Sequence, residues 1–139
     1  MKRALGIDHG DARIGLAISD DLGMLAHPLE TIKTSETPDP AARIAQIVAS
    51  ENIGQIVLGM PRNMDGSYGP ASEKVKAFAA KLAEKTECPV KFWDERLTSV
   101  AAQKSLHAGG KNTKQSRAVI DQVAAQLILQ GWLDSQSLV

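Results

Sequence analysis

The chain is poor in cysteine, in aromatic residues and in net charge, and it has no long hydrophobic run. Its single cysteine, Cys88, allows no internal disulfide, which suits a reducing compartment. Cys88 precedes Pro89 at the entrance to an apolar run, so it reads as a small packed residue and not as a nucleophile. Aromatics make up 4% of 139 residues, too few for extensive base stacking of the single-strand-binder kind. Lysine plus arginine equal aspartate plus glutamate at 16 each, so an anionic partner would have to be attracted by local patches. No apolar stretch approaches the roughly 20 residues that span a bilayer. Asp8 cuts the first apolar run too early for a signal peptide. These absences point to a cytoplasmic protein without a membrane partner.

What is present suits one compact domain over residues 1–139, with 43% hydrophobic and 23% charged residues. There is no internal repeat, low-complexity tract or linker. Ala4–Ile7 and Ile14–Ile18 read as strands joined by a tight turn at Gly10, and a third strand falls within "GMLAHPLETIK". Pro28 marks that strand as an edge or a bulge. Asp39 and Pro40 then open a helix with Ile44, Ile47 and Val48 on one stripe. "QIVLGMP" is a short buried strand. A second helix follows, with Val75, Phe78, Ala79, Leu82 and Ala83 on one face. "CPVKFWDER" supplies another strand, Thr98 caps a short helix that Gly109 and Gly110 stop, and "RAVIDQVAAQLILQGWLD" is a strong helix. Its apolar pairs fall at 119/120, 123/124 and 127/128, and a frayed tail is expected after Trp132. Three hairpin strands followed by strand–helix alternation predict an α/β fold, a mixed five-stranded sheet flanked by helices.

Three carboxylates interrupt these apolar elements. Asp8 lies in the first strand, where an unpaired charge covered on both faces would cost several kcal/mol. Read alone, it is either a turn-bonding strand-end acid or a ligand. Glu95 stands where the "FWDERLTS" strand ends, a common place for sites in sheets fed by helices, or else a solvated loop acid. Asp121 falls at the edge of the apolar stripe of the last helix, with Arg117 four residues earlier as a possible ion-pair partner. If the three converge, their mutual repulsion calls for hard cations such as Mg²⁺ or Mn²⁺ between them. Paired ions of this kind activate water and stabilise the leaving oxygen of a phosphodiester.

Basic residues offer a second signal. Lys104, His107, Lys111, Lys114 and Arg117 cluster between two helices, either as a nucleic-acid clamp or as a solvated face. Arg62, Asn63 and Ser67 stand between a strand and a helix start that would hold a phosphate, or form an ordinary capped loop. A phosphate-binding P-loop fails at "SLHAGGKN", where Ser105 stands in the place of the first glycine and Asn112 replaces the hydroxyl residue. "DHGDARIG" is similar to the first phosphate loop of actin-like kinases, but the chain is too short for their second lobe.

The segments "GIDHGDARIGLAISD", "IVLGMPRNMDGSYGP", "WDERLTS" and "IDQVAAQLILQGWLD" together resemble the YqgF/RuvX family. That family is described both as Holliday junction resolvases and as pre-16S rRNA nucleases, with a ribonuclease-H-like fold. The resemblance spans nearly the whole chain and implies a metal-dependent nuclease using Mg²⁺ or Mn²⁺. Its metal-holding catalytic acids would be Asp8, Glu95 and Asp121, and its recurrent arginines fall on Arg13 and Arg96. With Lys111, Lys114 and Arg117 these arginines would bind phosphates. Asp11-Ala12 replace the Thr-Lys pair common in the family, and the stretch before Asp121 is less basic, which bears on affinity more than on chemistry. The expected task is processing of the 16S rRNA precursor, with structured RNA or ribosomal precursor particles as partners. Resolution of branched DNA is the alternative, and a non-catalytic RNA-binding module is the rival of another class. A monomer or weak homodimer is expected.

Overall fold

The computed structural model describes residues 2–63, 65–97 and 114–137, with side chains of the last segment described from Ile120 to Gln136. Three strands come first: β1 (Arg3–His9), β2 (Arg13–Ser19) and β3 (Ala26–Lys33). Then follow α1 (Pro40–Ser50), β4 (Ile53–Met60), α2 (Pro70–Lys85) and β5 (Val90–Asp94). A single 3₁₀ turn over Glu95–Leu97 and a long closing helix α3 (Lys114–Ser137) complete the order. The sheet runs β3-β2-β1-β4-β5, antiparallel across its first three strands and parallel from β1 to β5. This is the expected mixed sheet. Pro28 meets both expectations: β3 is an edge strand, and its ladder with β2 is irregular between Leu16 and Ala17, opposite Glu30 and Pro28.

Strand alternation sorts the sheet into two faces. Leu5 and Ile7 of β1 join Ile56 and Leu58 of β4 in a core closed by Ile44 and Ile47 of α1 and Val75, Phe78 and Leu82 of α2. The Asp39 carboxylate caps α1 at the Ala42 N–H (3.1 Å), with Pro40 at the first helical position. Ala83, expected on the buried face of α2, is exposed instead, because the burial sequence 72, 75, 78, 82 leaves it on the outer side.

The opposite face is covered by α3. Ala4 and Ala17 of the sheet and Val57 of β4 pack against Ala124, Ala125, Ile128, Leu129 and Leu133. The buried stripe is therefore turned by about one residue from the pairs expected at 123/124 and 127/128. The cause is close approach: a Cβ on Gly6 would stand 2.6 Å from Leu129 Cβ and 2.8 Å from the Ala125 carbonyl oxygen. Helix and sheet touch there at small residues, which leaves Val123 and Leu127 half-buried. The helix also continues beyond Trp132, where a frayed tail was expected, because Leu133 is buried and extends the apolar stripe.

The polar side of α3 is not simply solvated. Gln122, Gln126 and Gln130, spaced by four, run along the edge strand. Gln122 donates to Thr31 Oγ1 (3.1 Å) and Gln126 to the Ala26 carbonyl (2.9 Å), and Gln130 accepts from the Ala26 N–H (2.9 Å). Gln130 also donates to the Met24 carbonyl (2.9 Å). Among the described residues no helix is long and apolar enough to cross a membrane. The expected Thr98-capped helix, with Gly109 and Gly110, lies outside the described residues.

Candidate active site

Even-numbered residues of β1 face α3, so the Asp8 side chain enters the layer between sheet and closing helix. It is only 5% exposed. Its two lateral neighbours in the sheet are both glycines. Gly15 of β2 pairs directly with Asp8, and continuing the β1–β4 ladder one step past Ile7↔Leu58 brings Gly59 to its other side. Each glycine admits another acid-bearing residue. A Cβ on Gly15 would overlap the Asp121 carbonyl oxygen and stand 3.1 Å from Asp121 Cβ. A Cβ on Gly59 would stand 3.4 Å from Glu95 Cγ and 2.5 Å from Ile128 Cδ1.

Asp8, Glu95 and Asp121 thus come from β1, the turn after β5 and α3 to one end of one sheet face. Glu95 is 5% exposed and the Asp121 side chain 18%. Among the described residues, no three His, Cys, Asp or Glu are arranged as a group that could hold a metal ion. The donor set itself is of carboxylate oxygens alone, the kind that Mg²⁺ or Mn²⁺ takes.

The two arginines expected to face phosphate are engaged by carboxylates. Arg13 Nε donates to Asp121 Oδ2 at 2.7 Å, tying the start of β2 to the closing helix across the layer. Arg96 wraps around Asp94: Nε lies 3.1–3.2 Å from its two oxygens, Nη2 2.8 Å from Oδ2, and the Arg96 N–H donates to Oδ1 (2.9 Å). That hydrogen bonding holds the Asp94 carboxyl below, and the Arg96 guanidinium above, their ordinary pKa values. Lys111 lies outside the described residues, as do the side chains of Lys114 and Arg117, so the Arg117–Asp121 pairing is not described.

Sequence reasoning did not single out Asp94, which both arginines of this region engage. The same carboxylate receives Arg62 Nη1 (3.4 Å) from the loop after β4, so one acid joins two motifs. The sequence offered no signal for this pairing, since Arg62 and Asp94 are 32 positions apart. On the other face of β1, His9 packs on Phe78 with ring centroids 4.6 Å apart, and burial lowers its pKa. His9 lies on the face opposite Asp8.

A 3-2-1-4-5 mixed sheet beneath a closing helix is the ribonuclease-H-like fold. Solved structures agree on the fold. The chain matches the Thermus thermophilus RuvC in complex with a Holliday junction substrate over 99% of its own length and 98% of the other, with TM-score 0.63 at 14% identity. It matches the fowlpox virus resolvase bound to Holliday junction DNA over 96% and 98%, with TM-score 0.54 at 10% identity.

Residues 2–135 match the RuvX family, described as Holliday junction resolvase, and the chain belongs to that family. A relative from Ruegeria sp. named "Putative pre-16S rRNA nuclease" is 46% identical, covering 96% of this chain and 85% of its own. One of the same name from Halalkalibacterium halodurans is 44% identical over 98% and 99% of the two chains. Membership places the chain among hydrolases of phosphodiester bonds.

Proposed function

We propose that this chain is a metal-dependent endonuclease for structured nucleic acid, and that its task is trimming the 16S rRNA precursor at its 5' end during ribosome biogenesis. The observation that carries the nuclease reading is the placement of Asp8, Glu95 and Asp121 at one end of one face, with Gly15 and Gly59 opening the space beside Asp8. The rRNA reading is supported by the name that relatives of 46% and 44% identity share.

Asp8, Glu95 and Asp121 would hold Mg²⁺ or Mn²⁺, whose donor preference their oxygens fit. When bound, such ions supply an activated water and charge stabilisation at the leaving oxygen. Burial of Asp8 and Glu95 keeps bulk water from screening the charges there. Arg13 holds Asp121 in its place against β2, and Arg96 offers positive charge beside Glu95. Lys111, Lys114 and Arg117 would extend the phosphate contacts, and the protein would act in the cytoplasm as a single domain, monomeric or weakly dimeric.

The test is Asp8→Asn with a precursor-rRNA fragment as substrate. Loss of residues that merely support a metal ligand costs about 10- to 100-fold, so removing a ligand should cost more than about 100-fold in turnover. Binding should hold or tighten, because one repelling carboxylate is gone. Unchanged RNA binding with no cleavage by the wild type in Mg²⁺ or Mn²⁺ would favour a non-catalytic assembly factor. The family description favours one second reading, resolution of four-way DNA junctions. Cutting two strands symmetrically needs a symmetric dimer. Cleavage of a four-way junction but not of precursor RNA would establish that reading.

A further inference from the structure

The loop between β4 and α2 brings a second arginine to the site. Arg62 gives its Nε hydrogen (2.9 Å), and an Nη2 hydrogen, to the Gly66 carbonyl, while Nη1 reaches Asp94. Its guanidinium carbon lies 4.6 Å from the centre of the Tyr68 ring, and Lys76 Nζ lies 4.3 Å from the same centre. Tyr68 is half exposed, so the ring backs the guanidinium at the surface instead of burying it.

Arg62 and Arg96 approach a common point. A Cβ at Gly66 would stand 3.3 Å from Arg96 Nη1 and 3.6 Å from Arg62 Nη2. Both side chains remain about one-third exposed. Among the described residues, the Nη1 end of Arg96 has no hydrogen-bond partner. Two guanidiniums share the Asp94 carboxylate, and the Asp65 charge also acts on Arg96. Asp65 accepts from the Ser67 N–H and hydroxyl, and Glu73 faces Lys76 at 3.7 Å.

We propose that Arg62 and Arg96 jointly bind one backbone phosphate of a nucleic-acid strand, with Asp94 as the positioning residue that aims both and Tyr68 as the backing of Arg62. A phosphate diester presents anionic oxygens that guanidinium forks suit, and the Nη1 end of Arg96 and the exposed part of Arg62 are turned to one point beside Gly66. Residues 61–63 and 65–69 then form one wall of the strand's path past the acids. This inference rests on the nucleic-acid reading of the site and adds Arg62 and Asp94 to it.

The experiment is equilibrium binding of a fluorescent single-stranded RNA and a short duplex, in chelator, at several salt concentrations. Chelator removes cleavage, so binding is read apart from catalysis. Arg62→Gln should lower the steepness of log affinity against log salt by about 0.7 on the single strand and about 0.9 on the duplex. Between roughly 50 and 200 mM salt its affinity should therefore fall about threefold less than that of the wild type. Arg62→Lys should keep the steepness while losing affinity, because charge remains but the fork is lost. Tyr68→Phe should match the wild type, and Asp94→Asn should weaken binding with a smaller change in steepness. Wild-type affinity and steepness in a folded Arg62→Gln would overturn the proposal; if that variant does not fold, unaltered affinity in Arg62→Lys would do so. Arg62-dependent binding without cleavage on restoring Mn²⁺ would leave the phosphate site standing and remove the nuclease reading.

Discussion

Gly15 and Asp121 are in contact across the layer between sheet and closing helix: the Asp121 carbonyl oxygen occupies the space where a side chain on Gly15 would begin. The backbone of α3 is thereby seated on β2 at the level of Asp8, the residue paired with Gly15. Gly15→Ala should push this part of α3 off the sheet. Displacements of about 1 Å cost catalysis on the order of 100-fold, so turnover should fall by about that factor. The fall should exceed what the accompanying drop in melting temperature explains. Steady-state kinetics well below that temperature, beside a thermal melt, checks both.

The Arg13–Asp121 pair is partly buried, with side chains 30% and 18% exposed. It should therefore contribute more than an exposed ion pair, which gives about 0.2–1 kcal/mol, and less than a fully buried one. A double-mutant cycle with Arg13→Gln and Asp121→Asn should return a coupling energy of about 1 kcal/mol from denaturant unfolding. Zero coupling would show that the pair does not hold helix and sheet together.

How far the sequence revealed this arrangement depends on the range of the interaction. Asp39 with Pro40 is a local signal, and α1 begins where those residues say it does. Asp8 was visible because an unpaired carboxylate in an apolar strand covered on both faces is costly. Arg13 and Asp121 are separated by 108 positions, and nothing in either neighbourhood names the other. Asp94 was hidden for a related reason: its second partner, Arg62, arrives through a loop whose path no periodicity describes. The phase of α3 was misread because Gly6 and Gly59 let Leu129 and Ile128 press close at their own level, and the helix sequence carries no record of those glycines.

Asp39 yields a pH prediction. Its carboxyl is held below the ordinary value chiefly by the Ala42 N–H that it caps, with Lys85 also lowering it. The unfolded chain therefore binds this proton more tightly, and the contribution is present above about pH 4 and lost as pH falls through the lower folded value. Asp39→Ala should lower the melting temperature by a few degrees, about what loss of a helix cap costs, at pH 7. The difference from wild type should shrink in melts taken below about pH 4. A pH-independent difference would exclude the charge from the cap.

The glutamine row on α3 makes a separate prediction about β3. Gln130 accepts from the Ala26 N–H, and Gln126 donates to the Ala26 carbonyl, at the outer edge of the sheet. Each such bond contributes about 1 kcal/mol. Gln130→Ala should cost that much in denaturant unfolding and raise hydrogen exchange at Ala26. Exchange unchanged at Ala26 would show that the edge is protected by other means.

The two faces of the sheet also differ in when they can be completed. The core against α1 and α2 draws on residues from Leu5 to Leu82, with Cys88 and Val90 at its margin, while the other requires α3. Synthesis runs from the amino end, so a nascent polypeptide can mature one side while the other is still bare. Throughout that interval it displays Asp8 and Glu95 without Asp121. If hydrolysis needs all three acids, as proposed, a nuclease born on a ribosome stays disarmed beside its RNA until its closing helix has been made.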